Sequence, residues 1–283
     1  MVKRTLLIGV VLACGFAVGL PSAQAVILDI TVPGAILDLY GALFYQIDPT
    51  ATGTGNINSF VRLNAVDDQA KGYNTTVGGV FDNTSDATHN HELPLSLFAP
   101  PIIKLNNVNY REFLLDIAEP GNANKLESLD EIQVFLSSDP NQSVETLTSG
   151  IVDLSDRVLL FRLDDNGVDS WIKLDATLNS GNGSGDMFMY IPNQLFVDAL
   201  AAHPTYTYVY LYSQFGLQGG TLLDQGSFDE WAVRKDIAPP CDATPEGCGG
   251  GPGPVVPEPA SLLLMGSGLL GLVGGRLRSR RES

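Results

Sequence analysis

A period of two in the apolar residues runs through the middle of this chain, and it leaves little room for anything but packed sheets. Phe113, Leu115 and Ile117 alternate with Glu112, Leu114 and Asp116, and Ile132, Val134 and Leu136 alternate with Glu131, Gln133 and Phe135. Further on, Ile172, Leu174, Ala176 and Leu178 alternate with Trp171, Lys173, Asp175 and Thr177. Successive strand side chains point to opposite faces, so each run offers one face to a core and turns the other outward. Val158–Leu163 is apolar throughout apart from Arg162. The runs are separated by turn chemistry: Asp139-Pro140-Asn141, Asp164-Asp165-Asn166-Gly167, and a Gly- and Ser-rich stretch from Asn179 to Asp186. Asn166-Gly167 between two runs predicts a tight hairpin. One helix is predicted over Gln194–Ala202, with Asn193 as N-cap after Pro192 and Pro204 beyond its end. Many strands, short turns and one short helix predict an all-β sandwich, jelly-roll or immunoglobulin-like.

The two ends are of another kind. Lys3-Arg4, the apolar stretch Leu6–Leu20 and Ala23-Gln24-Ala25 stand in the order of a signal peptide over residues 1–25, with cleavage before Val26. Lipoprotein processing at Cys14 fits less well, because Leu12 occupies a position that needs a small residue. The sandwich domain is then expected over residues 26–238. Residues 239–256 contain Pro239-Pro240, Gly249-Gly250-Gly251 and Pro252-Gly253-Pro254, which predict a linker without helix or sheet. Cys241 and Cys248 remain after the signal is removed, and outside the cytoplasm a small-loop disulfide is the expected state. Without a histidine beside them they make a poor zinc site.

The tail, residues 257–283, has three parts. Pro257-Glu258-Pro259 is followed by the apolar run Ala260–Gly275 and then by Arg276, Arg278, Arg280 and Arg281. As a helix the run is about 24 Å long, short of a ~30 Å hydrocarbon core, so Leu277 and snorkelling arginines must complete a transmembrane helix. The arginines hold the extreme C-terminus in the cytoplasm and leave the body outside. The parts and their order resemble the PEP-CTERM sorting signal of Gram-negative bacteria that make exopolysaccharide. That resemblance implies recognition and cutting by a membrane protease, exosortase, with Pro257, Glu258 and Pro259 as the processing motif and the arginines as the membrane stop. The segments Ser180–Asp186, Tyr208–Gly216 and Phe228–Ala232 also resemble exported proteins that bear such a tail and have no assigned activity.

Between signal and tail, 10 Lys and Arg face 30 Asp and Glu, a net charge of about −20. Such a field opposes nucleic acid and anionic membrane surfaces and favours solubility or cation binding. Catalytic motifs are missing: there is no Gly-x-Ser-x-Gly, no His-Glu-x-x-His and no phosphate-cradling loop with its lysine. Paired carboxylates such as Asp130-Glu131 and Asp229-Glu230 point to opposite faces of a strand, so neither pair serves as a glycosidase dyad alone.

Three binding sites are candidates. Asp164, Asp165 and Asp169 offer hard oxygen ligands for calcium, while the same residues suit a bare turn. Tyr206, Tyr208, Tyr210 and Tyr212 alternate along one strand; exposed, the rings would stack on a polysaccharide, and covered, they would form a packing layer. Asp82, Asp86, His89, His91 and Glu92 form a polar loop in which metal binding competes with simple solvation. The expectation is an exported, non-catalytic surface or matrix protein without a required cofactor. It would be anchored in the inner membrane with its body in the periplasm, then processed by exosortase and released to the surface or to exopolysaccharide. The alternative is a carbohydrate-binding module or calcium-dependent adhesin using the tyrosine face.

Overall fold

Each alternating run contains a strand, and the long strands organise the short ones. The computed structural model describes residues 25–46, 57–98, 100, 102–118, 125–165, 167–179, 185–226, 228–234 and 242–243. The first strands are β1 (Val26–Asp29), β2 (Ile36–Leu39), β3 (Ala42–Gln46), β4 (Ile57–Leu63), β5 (Ala70–Tyr73) and β6 (Leu93–Pro94), followed by a short helix, α1 (Leu95–Phe98). Next come β7 (Ile102–Leu105), β8 (Val108–Asp116), β9 (Leu126–Ser137) and the small hairpin β10 (Leu147–Thr148) and β11 (Ile151–Val152). β12 (Arg157–Arg162), β13 (Ser170–Asp175) and β14 (Met187–Pro192) lead into α2 (Asn193–Ala202). β15 (Tyr208–Phe215), β16 (Asp229–Arg234) and β17 (Asp242–Ala243) complete the described elements.

Two sheets pack face to face, as an all-β sandwich requires. One runs β1-β13-β9-β15-β5, with β12 also on β9 and β6 also on β15; the other runs β17-β7-β8-β14-β3-β2, with β16 joining β8 to β4. Ile132, Val134, Leu136, Ile172, Leu174, Val209 and Leu211 of the first sheet meet Phe44, Phe113, Leu115, Met187, Met189, Trp231 and Val233 of the second in one core. Phe196 and Ala199 of α2 join that core. Each large apolar side chain so buried contributes about 1.5–3 kcal/mol. Trp231 also donates its indole N–H to Ser213 Oγ at 3.0 Å, a hydrogen bond from one sheet to the other.

The structure departs from the sequence expectations in four places. The Asn166-Gly167 hairpin is not formed: β12 and β13 both pair antiparallel with β9, at Arg157–Arg162 and Ile172–Asp175, so they run in one direction along the same edge. The chain between them is an excursion from that edge, since a long strand offers pairing enough for both. Asn193 does not cap α2. It is the first helical residue, and its Oδ1 accepts the Arg111 Nε–H at 2.9 Å. Within the expected linker, Asp242–Ala243 pairs in parallel with Lys104–Leu105; the neighbouring prolines do not fall in that two-residue strand. Finally, β9 is buried on both faces, because loops cover the face that alternation turns outward.

Candidate functional site

The tyrosine face lies under that cover. Tyr210 and Tyr212 are both 0 % exposed, packed with Tyr73, Phe135, Val80, Val152 and Leu154. The lid is residues 139–156. Tyr210 O–H donates to the Asp139 carbonyl at 2.8 Å, Tyr73 O–H to the Val144 carbonyl at 3.0 Å, and Thr75 Oγ1 to the Gln142 carbonyl at 2.7 Å. Burial pushes the phenols of Tyr73, Tyr210 and Tyr212 above their ordinary value. Tyr206 precedes β15 and packs toward the inter-sheet core, with its ring stacked on His203 at 4.6 Å, while Tyr208 packs at the margin of the covered layer. The expected glycan-stacking face of Tyr206, Tyr208, Tyr210 and Tyr212 is therefore corrected: Tyr210 and Tyr212 form a covered packing layer, Tyr208 stands half-buried at its margin and Tyr206 lies outside it. The lid's backbone carbonyls satisfy phenols that would otherwise bond to water.

The expected calcium ligands Asp164, Asp165 and Asp169 are placed differently. These residues lie on the excursion between β12 and β13, and among the described residues they do not gather into a three-ligand group. Turn chemistry employs them: Asp164 Oδ1 accepts the Ser170 N–H at 2.7 Å, and the Asp165 carbonyl accepts the Val168 N–H at 3.0 Å and the Tyr40 O–H at 3.2 Å. The histidine loop is likewise occupied. His89 Nδ1 meets Asp86 Oδ2 at 2.7 Å, His91 Nδ1 meets the Glu92 carbonyl at 2.9 Å, Glu92 accepts from Thr76, and Asp82 Oδ2 accepts the Lys71 N–H.

A different acidic group is assembled at one end of the sandwich. Glu127 of β9, Asp229 of β16 and Asp224 of the loop between β15 and β16 each place a carboxylate oxygen within 4.8 Å of the other two. All three are buried, Asp224 at 1 % exposure. Glu127 comes from the first sheet and Asp229 from the second, so the group spans the interior. A bulge brings Glu127 inward. Gln214 pairs with Glu131 and Phe215 with Leu129, which leaves Asp130 as the extra residue. Without it, alternation from Ile132 would turn Glu127 outward.

The same bulge residue holds the loop that carries Asp224. Asp130 Oδ2 accepts the Leu217 N–H at 2.7 Å and the Ser128 O–H at 2.8 Å, and Oδ1 accepts from Gln218 Nε2 at 2.8 Å. Burial pushes the Asp130 carboxyl up to about 6. Gly216, at φ +82°, passes so close to the Asp68 carbonyl that a Cβ would lie 2.4 Å from it. That carbonyl accepts the Asp224 N–H at 3.1 Å. Asp224 Oδ1 accepts the Gly226 N–H at 3.2 Å, while Oδ2 is buried without a hydrogen-bond partner. Desolvation raises the Asp224 carboxyl, and the charges that raise it further are the carboxylates Asp82 and Asp68. Sequence reasoning singled out Asp229 only beside Glu230. Glu127 and Asp224 give no local signal, because the group exists only once two sheets and a loop converge.

Comparison with known proteins bears on the other end of the chain. Residues 255–281 match the family model described as the PEP-CTERM protein-sorting motif. The chain carries a PEP-CTERM motif. The match takes in Pro257, Glu258, Pro259, Arg276, Arg278, Arg280 and Arg281, all of which lie outside the described residues. Residues 1–24 of the expected signal peptide, Cys241 with Cys248, and the apolar run 260–275 also lie outside them. Among the described residues no helix is long and apolar enough to cross a membrane. The PEP-CTERM match covers about a tenth of the chain; no curated protein and no solved structure matches it.

Proposed function

We propose that this is an exported, non-catalytic protein of the cell surface or extracellular matrix, delivered by exosortase acting on its tail. The observation that carries the reading is the PEP-CTERM motif at residues 255–281, with its tripeptide, apolar run and arginine stop in order. The body adds support of a general kind. Its about −20 charge suits a protein held in solvent outside the cell, and its outer aromatic layer is spent on packing a lid. On this reading the tail inserts in the inner membrane with the body in the periplasm. Exosortase then removes the membrane segment, and the sandwich passes to the surface or to the exopolysaccharide.

Intact-mass measurement of the protein from a host that carries exosortase tests this. The mature chain should lack Arg276–Ser283, and Pro257→Ala with Glu258→Ala should leave the tail attached. Full-length tails on the wild-type chain in that host would refute the reading.

A further inference from the structure

We propose that Glu127, Asp224 and Asp229 form a calcium site that ties the two sheets of the sandwich together. The ligands are all carboxylate oxygens from separate elements: β9 in one sheet, β16 in the other, and the loop between β15 and β16. Calcium binds oxygens at about 2.4 Å, so ligands on opposite sides of one ion stand about 4.8 Å apart. The three oxygens, each within 4.8 Å of the others, fit around a single ion. Zinc and copper prefer nitrogen or sulfur donors, which this group lacks.

A second observation points to a cation independently of the clustering. Asp224 is 1 % exposed, and its Oδ2 has no hydrogen-bond partner although Oδ1 has one in Gly226 N–H. A buried carboxylate oxygen left so keeps the full cost of its lost hydration unless something positive or protonated meets it. The neighbouring charged groups bring no positive charge: Asp82 and Asp68 raise the Asp224 carboxyl, and the side chain that favours its ionised form, Asp229, is itself a carboxylate. The loop that carries Asp224 is held in place: Gly216 allows the close approach to Asp68, and Asp130 pins the loop at Leu217 and Gln218. The competing occupant is a proton shared between Asp224 and Asp229, which would hold the group together without any metal.

The test uses the full chain purified in detergent and stripped with EDTA. Trp231 lies two residues from Asp229 on the same strand face, about 7 Å along the backbone, so it is placed to sensitise terbium bound at the group. Tryptophan excitation should give terbium emission that calcium displaces and equal magnesium does not. Calcium at roughly 100-fold above its Kd should raise the melting temperature by about 5 °C or more over magnesium. Asp224→Asn should abolish both responses, while Asp164→Asn with Asp169→Asn should keep both. If Asp224→Asn does not fold, Asp229→Asn takes its place. Where neither folds, the wild-type protein decides by calcium-displaceable emission. Equal shifts from calcium and magnesium, or a calcium response that survives Asp224→Asn, would overturn the site. So would wild-type protein that binds no terbium, and the shared proton would then be the occupant.

Discussion

Glu131 and Asp224 are both buried carboxylates of one sandwich, yet their surroundings differ in sign. Glu131 lies under the lid on the outer face of β9, where Arg162 Nε donates to Oε2 at 2.8 Å and Gln133 Nε2 at 3.2 Å. Gln133 in turn donates to the Gly150 carbonyl and accepts the Val152 N–H, so the small hairpin β10–β11 is fastened to the sheet. Asp224 sits in the interior among other carboxylates, with one oxygen unmet. Under the lid, the fold carries its own cation and its own donors. At the end of the sandwich it concentrates negative charge, and Asp224 is met there by the Gly226 N–H and the Asp229 side chain, with no cation among the groups that shift it. Burial raises both carboxyl groups, but only at Glu131 does a guanidinium oppose the rise. The difference separates a structural salt bridge from a site that calls for an external cation.

The largest effect should come from breaking the compensated side. Arg162→Met leaves Glu131 buried without its cation, and urea unfolding should show a loss of about 3–5 kcal/mol. A change below 1 kcal/mol would mean that water, not Arg162, supports Glu131.

Next in size is a pH effect at Asp130, the bulge residue between the two regions. Its folded value of about 6 lies above the 3.8 of a free aspartate, with burial the main cause and Asp169 a further one. The folded state therefore holds the proton more tightly. This contribution is fully present below pH ~4 and is lost as pH rises through about 6, on the order of 3 kcal/mol in all. Urea midpoints of wild type and Asp130→Asn, compared at pH 4 and 7 in EDTA, should differ in slope by that amount. Parallel slopes would remove Asp130 from the account.

Tyr210→Phe removes the hydrogen bond to Asp139 beneath the lid and should cost about 1 kcal/mol, read by urea midpoint. No change at all would mean that the lid is not held there. The smallest expected effect has the opposite sign. In EDTA, Asp224→Asn relieves repulsion among the carboxylates and should stabilise the protein by about 0.5 kcal/mol or a little more, seen as a higher midpoint. Destabilisation by more than 1 kcal/mol without metal would place Asp224 on the compensated side of the comparison.

Much of this was legible in the residues, and the failures have physical causes. The strands around Phe113–Leu115, Ile132–Leu136 and Ile172–Leu174 follow from alternation, because a half-buried strand must separate its two faces. Tyr208, Tyr210 and Tyr212 do share a face, but alternation does not say whether a loop will lie across it. Residues 139–156 do so through Asp139, Gln142 and Val144 carbonyls, and backbone carbonyls have no sequence signature. Asn166-Gly167 suggested a hairpin because that dipeptide tolerates a tight turn. Which strands pair depends on the free edge of β9, which lies far away in sequence.

By itself the sequence determined the class of fold and the sorting tail. Both are local in the chain, one a period of two, the other a contiguous tripeptide, apolar run and arginine cluster. Tertiary structure alone decided which face of β15 would be covered and which acids would meet. Glu127 enters the interior through one extra residue at Asp130, and it meets Asp224 and Asp229 only because two sheets close on each other. A contact between residues a hundred positions apart costs chain entropy that no local pattern records, and it is repaid only by the packing of the whole core.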